Sequence, residues 1–428
     1  MAYLIGFYTE SKSNFLLSKV KNPKLAKQGK LSHEWARSHM QILDNTISRL
    51  KKSKPLKGIT LGFCLHITKE TSVLLVGAKE LGANVACCGG NPLTTQDDIA
   101  AFLASQGIHT YCWAGQNAKE YDWCIQQVLN HKPQILTDDG SDMNVKAHFD
   151  KKYKNLKIFG ATEETTAGVN RRKAVENQGI LRDPVISVND AYTKHMFDNR
   201  YGTGQSTIDG YLRAMNLMLA SKRVVVAGYG WVGKRVAANY RGMNAKVIVT
   251  EIDPVRALEA HMDGFDVMPM SQAAKVGDIF VTTTGMTSII RKEHIITMKN
   301  GAVLGNVGHF DVEVDANFLL KKSKSVRQVR PYLDECVLKN GKKIYLIGQG
   351  RIANLTAAEG HPPEVMAQSF SNQLLSILHI LKNHKKLPKK VITVPKAIDQ
   401  QVASDALAAM GVKIDKLTKE QKQYANSW

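Results

Sequence analysis

Short runs rich in β-branched and aromatic residues alternate, through the first third of the chain, with stretches whose apolar positions repeat at helical spacing. The strand candidates are 58-GITLGFCLHIT-68, 84-NVACCGG-90, 108-IHTYCWA-114 and 134-QILTDDG-140, separated by amphipathic segments such as 70-ETSVLLVGAKEL-81 and 118-AKEYDWCIQQVLN-130. That rhythm predicts βαβ units around a parallel sheet. A second series begins at 223-RVVVAG-228 and continues through 246-KVIVTE-251, 278-DIFVTTTG-285, 302-AVLGNVG-308 and 344-IYLIGQG-350. The fold class expected is α/β, with two Rossmann-like doubly wound halves. Beyond them, Met366, Phe370, Leu374, Ile377 and Leu381 mark one apolar face of a long helix within residues 364–383. No internal repeat or low-complexity linker interrupts the pattern.

At 428 residues and 43% hydrophobic content, the chain has room for two packed domains and is too ordinary for a fibrous or disordered protein. No window reaches about 18 uninterrupted apolar residues, and MAYLIGFYTESKSNF lacks the apolar core and cleavage site of a secretory signal. No membrane partner and a cytoplasmic location are expected. The cysteines at 64, 87, 88, 112, 124 and 336 show no CxxC pairing and no His partners at zinc-like spacing. They read as reduced thiols, with no metal expected. A net charge of +20 raises the question of nucleic acid, because clustered Lys and Arg neutralise phosphates. The lysines, however, are scattered through short runs such as 51-KKSK-54 and 382-KNHKKLPKK-390, with no recognition helix or RNA-binding signature beside them. A solvated basic surface is expected, with no nucleic-acid partner.

The stretch 226-VAGYGWVGKRVAANYRGMNAKVIVTEIDP-254 reads as a dinucleotide site. Gly228, Gly230 and Gly233 form GxGxxG between a strand and a helix, where glycine permits the tight turn, close approach of a pyrophosphate and helix-to-sheet packing. The phosphates would sit at the helix start, beside Trp231, Val232 and Lys234. Glu251 ends the next strand, where a carboxylate accepts from the ribose hydroxyls and repels a 2'-phosphate, so NAD is expected. Arg256 keeps NADP open as the lesser reading.

Polar clusters stand where other strands end: His66, Thr68, Glu70 and Thr71; Asp138, Asp139 and Asp142; Glu163, Glu164, Thr165 and Thr166. Each acid alone reads as a helix cap, but their concentration in one half points to a ligand site at the carboxyl ends of the strands.

The stretch 189-NDAYTKHMFDNRYGTGQSTIDG-210 resembles the S-adenosyl-L-homocysteine hydrolase family, as do LHITKET, TDDGSDM, EETTAGVNR, VAGYGWVGK, VTEIDP, NVGHFDVEVD and EGHPPEVMAQSF, in the family's order. The resemblance implies an NAD domain (200–353) inserted in a discontinuous substrate-binding domain (1–190 and 362–393), a C-terminal dimerisation segment (394–428), and homo-oligomers, usually tetramers. It implies reversible cleavage of S-adenosyl-L-homocysteine to adenosine and L-homocysteine. A thioether is a poor leaving group, so the family oxidises the 3'-hydroxyl, which acidifies the 4'-hydrogen, eliminates the thiolate, adds water and returns the hydride.

Matched motif by motif, Lys194 and Asn199 assist removal of the 3'-hydroxyl proton, and Asp198 and Glu164 bind the ribose hydroxyls. A catalytic lysine must be neutral for part of its cycle, and crowding by Asn199 with desolvation is expected to promote this. Asp139 and His66 share acid–base work at the 4' and 5' positions, with the division between them open. His309 and His361 flank the nicotinamide and 5' sides. Thr68, Glu70, Thr71, Met366 and Phe370 surround the base. Thr165, Thr166, Ala167, Val307, Gly308 and Asn354 join Asn199, His309 and His361 as cofactor contacts.

Thr203, Ala167, Arg235 and Arg256 depart from the usual residues without removing a group the mechanism requires. Glu359 stands near the base where other members have methionine, so it is expected to bear on base choice and keeps S-inosyl-L-homocysteine open as the alternative substrate. The end of the chain lacks the basic, tyrosine-containing tail of long members, so easier cofactor exchange is expected. Non-catalytic relatives that bind partners, and a plain 2-hydroxy-acid dehydrogenase, are the remaining alternatives. The first would show altered reactive residues and the second would not need TKHMFDN.

Overall fold

The computed structural model describes residues 3–4 and 18–428. They form two α/β bodies, each around its own sheet. The first sheet runs in the order Tyr3–Leu4, Lys19–Val20, His109–Cys112, Asn84–Gly89, Thr60–Leu65, Ile135–Asp138, Gly160–Glu163, Val185–Ser187 and Val391–Thr393. Its pairings are parallel except that of the first two strands. The second runs Asp266–Val267, Lys246–Thr250, Arg223–Ala227, Ile279–Thr282, Ala302–Asn306, Lys343–Ile347, Leu333–Val337 and Ser325–Arg330, and its last two pairings are antiparallel.

The inner strands read as apolar runs because both faces of each sheet are covered. Leu61, Phe63 and Leu65 enter one core of the first body while Cys64 enters the other. Val224 and Val226 likewise oppose Val225 in the second. The six cysteines are buried free thiols. Periodicity did not announce Val185–Ser187, Val391–Thr393 or Asp266–Val267, which are too short to carry a repeat. It also missed the edge strand Ser325–Arg330, exposed along its whole length and interleaved with arginine, a composition that blunts edge pairing.

The NAD-type body is inserted in the first. The chain leaves the first sheet after Val185–Ser187 and returns in the helix Pro363–Asn383, whose Ala367, Phe370, Leu374, Ile377 and Ile380 rejoin the first body's core. The helix Lys396–Ala409 packs on the same body through Ala406. Residues 411–428 lie exposed, with Val412, Ile414, Leu417, Tyr424 and Trp428 uncovered. No helix among the described residues is long and apolar enough to cross a membrane.

The outgoing crossing is pinned from the far end of the sequence. Asp399, buried, accepts the backbone N–H of Tyr192 at 2.8 Å and of Thr193 at 2.9 Å, and the Thr193 hydroxyl as well. Asn372 of the returning helix donates to that hydroxyl at 2.7 Å. Asp399→Ala leaves three donors, two of them buried, without their charged acceptor and is expected to cost about 2–3 kcal/mol. Thermal unfolding of the purified variant checks this, and an unchanged midpoint would show that the pin is dispensable.

Candidate active site

A cavity of about 1070 Å³ runs between the two bodies. It is lined by the carboxyl ends of both sheets and by the segments that join them.

Its cofactor-shaped half starts at the strand Arg223–Ala227. Gly228 turns at φ +97° and the helix Trp231–Gly242 begins three residues later. A Cβ on Gly233 would stand 2.0 Å from the Gly228 carbonyl oxygen, so only glycine lets this helix approach the turn. Gly233 serves packing and does not line the cavity, whereas Gly228, Gly230, Trp231 and Val232 do. Lys234 lies off the lining because Glu259 holds its ammonium at 2.6 Å. Glu251 accepts the backbone N–H of Tyr229 and Ile252, each at 2.7 Å, and of Asp253 at 3.1 Å, which fixes a carboxylate at the cavity wall. Arg256 lines the cavity near Gly230, and Val307, Gly308 and Asn354 line it beside His309 and His361. The positive-φ turn, the open helix start and the fixed acid suit NAD, with the dinucleotide's phosphates at Gly228–Val232 and its ribose near Glu251.

At the junction, Lys194 is buried among acceptors from three elements. Its Nζ donates to Asn199 Oδ1 at 2.7 Å and Asn189 Oδ1 at 3.3 Å, and lies 3.2 Å from Asp198 Oδ2 and 3.8 Å from Glu164 Oε1. Over His195–Gly202 the helix widens into π-type turns, whose five-residue repeat puts Lys194 over Asn199. Asp198 also pairs with His361 Nδ1 at 2.8 Å, and His361 Nε2 meets Thr203 Oγ1 at 3.2 Å and Asn354 Nδ2 at 3.3 Å. Glu164 is gripped by Ser369 and Gln373 of the returning helix.

The electrostatics follow from burial and neighbours. Burial pushes Lys194 down, but Asp198, Glu164 and Asp139 outweigh it and hold the ammonium above its usual range. The expectation of a readily neutralised lysine is thus reversed: desolvation acts as foreseen, and three carboxylates overcome it. Asp198 would rise on burial, yet Lys194 and His361 hold it well below the carboxylate range. Glu164 is pushed up to about 7, chiefly by burial.

The third cluster spans the cleft. Asp139 lies 3.5 Å from His66 Nε2 and 3.4 Å from His309 Nδ1, and His66 Nδ1 meets Thr94 Oγ1 at 2.7 Å. His309 belongs to the second body, and its ring sits where a Cβ on Gly140 would be, 2.3 Å from Nε2. The three ligand atoms lie within 4.8 Å of one another, a spacing open to a metal ion as well. Burial lowers His66 and His309 to about 4 and raises Asp139. Both rings are neutral at pH 7 and able to accept a proton.

Thr68, Glu70, Thr71, Met366 and Phe370 line the cavity as well, as do Thr165, Thr166 and Ala167. Glu359, expected here, does not line the cavity. Lys69 Nζ at 2.8 Å and Arg213 Nη2 at 3.8 Å draw its carboxylate to the surface. Three supports received no positioning role in the sequence reading, although Glu163 stood in one of its polar clusters. Asn189 bridges Lys194 and Asn199. Glu163 accepts the N–H of Gly140 at 2.9 Å and of Thr165 at 3.1 Å and the Ser141 hydroxyl at 2.6 Å, tying the Asp139 loop to the threonines. Ser369 and Gln373 are the third; their polar i, i+4 spacing on a largely apolar helix was the available signal. Thr283 and Thr284, after the strand Ile279–Thr282, also line the cavity, and the TTTG run had marked that strand end without assigning it a contact.

Fold and cavity together define a two-domain, dinucleotide-dependent enzyme whose acid–base groups lie across the cleft from its nucleotide turn. Residues 199–360 match the family model described as S-adenosyl-L-homocysteine hydrolase, NAD binding domain, and residues 17–158 match S-adenosyl-L-homocysteine hydrolase. The adenosylhomocysteinase of Saccharolobus solfataricus is 54% identical over 411 residues, covering 96% of this chain and 98% of its own. The S-inosyl-L-homocysteine hydrolase of Methanocaldococcus jannaschii is 52% identical over 409 residues, with the same coverages. The chain belongs to the S-adenosyl-L-homocysteine hydrolase family.

The burial of the two histidines has a direct readout. In a histidine-resolved NMR titration of the NAD-loaded protein, the His66 and His309 rings are expected to stay neutral down to about pH 4. Either ring titrating near the ordinary value of about 6.5 would contradict the assignment.

Proposed function

We propose that this chain cleaves S-adenosyl-L-homocysteine reversibly to adenosine and L-homocysteine, in the cytoplasm and as a homotetramer. The observation that carries the reading is the single cavity in which the Lys194 cluster, the Asp139–His66 pair and the glycine turn all open. Direct displacement of a thiolate from an unactivated carbon is slow. NAD, when bound, supplies the reversible 3'-oxidation that makes the neighbouring 4'-hydrogen acidic.

The chain's own residues do the rest. Asp198, kept ionised, and Glu164 accept from the ribose hydroxyls and orient the ring. Lys194, positioned by Asn199, takes the 3'-hydroxyl proton. The ammonium must first pass on a proton of its own, and Glu164, at 3.8 Å with a carboxyl near 7, is the neighbouring acceptor. Asp139 and His66 move protons at the 4' and 5' positions, where one hydrogen leaves and a water is activated. Met366 and Phe370 give the base an apolar wall, and His309 excludes water from the nicotinamide side. Reduced, buried thiols suit a reducing compartment, and the uncovered apolar residues of 411–428 suit burial against another copy of the chain.

S-inosyl-L-homocysteine is the second reading, because relatives of similar identity carry either name. Thiol release from the two thioethers by the purified, NAD-loaded protein decides the substrate, and release from neither would sink the hydrolase reading. Lys194→Ala is expected to keep its NAD content and lower turnover by about 10²–10⁴-fold. If the variant still reduces its bound nicotinamide at the wild-type rate on adding adenosine, Lys194 has no part in the oxidation.

A further inference from the structure

Glu70 lines the base end of the cavity with its side chain only 2% exposed, and its Oε1 has no aligned hydrogen-bond donor among the described residues. A buried carboxylate in a cavity wall presents an acceptor to any ligand donor that reaches it. Behind it runs a row of alternating charge. Lys69 Nζ lies 3.2 Å from Glu70 Oε1 and 2.8 Å from Glu359 Oε2, and Arg213 Nη2 lies 3.8 Å from Glu359 Oε1. The row begins in the dry cavity wall and ends at the surface, where Glu359 is 60% exposed. It also joins the two bodies, since Lys69 starts a helix of the first and Arg213 lies on the helix Thr203–Met215 of the second.

A carboxylate without water takes up a proton unless a cation stands beside it, and burial does push the Glu70 carboxyl upward. The Lys69 ammonium opposes that push. An ionised carboxylate only accepts hydrogen bonds, whereas a neutral carboxyl also donates. A purine with a 6-amino group offers two N–H donors at that edge. At position 6 itself a 6-oxo purine offers lone pairs, which repel an anion, and its one donor on that edge is the neighbouring N1–H.

We propose that Lys69, itself charge-balanced by Glu359, is a specificity-positioning residue: it keeps Glu70 a pure acceptor, so the pocket selects a 6-amino purine nucleoside over its 6-oxo counterpart. The proposal rests on the reading that this end of the cavity holds a purine. Glu359 pairs with Lys69 from the solvent side, so the ammonium beside Glu70 does not depend on it.

The test is calorimetric binding of adenosine and inosine to the NAD-loaded protein, compared as a ratio of affinities, with thiol release assayed separately. Wild type is expected to favour adenosine. Lys69→Met is expected to cut the ratio about tenfold, as Glu70 becomes neutral and donates to the 6-oxo group. Lys69→Gln, a polar uncharged variant, is expected to do the same. Lys69→Arg keeps the cation and restores the ratio. Glu359→Met leaves Lys69 beside Glu70 and holds the ratio within about twofold. A wild type that prefers inosine, a Lys69→Met ratio equal to wild type, failure of arginine to rescue, or an equal collapse in Glu359→Met would each overturn the proposal. Because binding is read without cleavage, the expected ratios in a protein that releases no thiol would support this proposal and refute the hydrolase reading.

Discussion

The site depends on one buried ammonium. Lys194 is 5% exposed and must neutralise carboxylates that reach it from separate parts of the chain: Glu164 from a strand end of the first body, Asp198 from the widened turn beside it. Charges this dry persist only when paired and hydrogen-bonded, and removing one partner strands the others. The geometry of Lys194 therefore constrains everything that holds its partners. Asp399 fixes the start of the crossing, the π-type turns stack Lys194 over Asn199, and Ser369 and Gln373 grip Glu164 from the returning helix. This is a physical reason for the insertion: the chain must leave the first body and come back to it for the acid cluster to be complete.

The same economy joins the two chemistries. Asp139 follows a strand of the first sheet, His309 a strand of the second, and the positive-φ turn at Gly140 leaves just enough room for the imidazole. Glu163 then ties the Asp139 loop to the start of the threonine segment, so one carboxylate fixes both against each other. Neutral histidines beside a carboxylate and a charged lysine beside two more give the cavity separate proton acceptors and donors without a second cofactor.

Much of this was legible in the sequence where a residue's task is local. The Gly228–Gly233 turn is demanded by backbone geometry, and strand ends announce polar clusters because both sheets bury everything before them. What stayed hidden depends on the third dimension. Gln373 reaches Glu164 from a helix whose apolar face dominates the pattern, and Asn189 meets Lys194 and Asn199 only because the π-type turns bring them back over it. Glu359 lies off the cavity because its partner Lys69, 290 residues away in sequence, holds it at the surface. Lys194 shows the limit of desolvation arguments: burial has the foreseen sign, and three carboxylates brought in by the fold reverse the outcome.

The central claim is that proton transfer at the 4'-carbon, carried by Asp139 and His66, precedes departure of the thiolate. Running the hydrolysis in heavy water and locating deuterium in the recovered adenosine by NMR tests this most directly. Deuterium at the 4'-carbon, with the 3'-hydrogen retained, is the result the account predicts. Thiol release with no deuterium at the 4'-carbon would mean direct displacement and would contradict it.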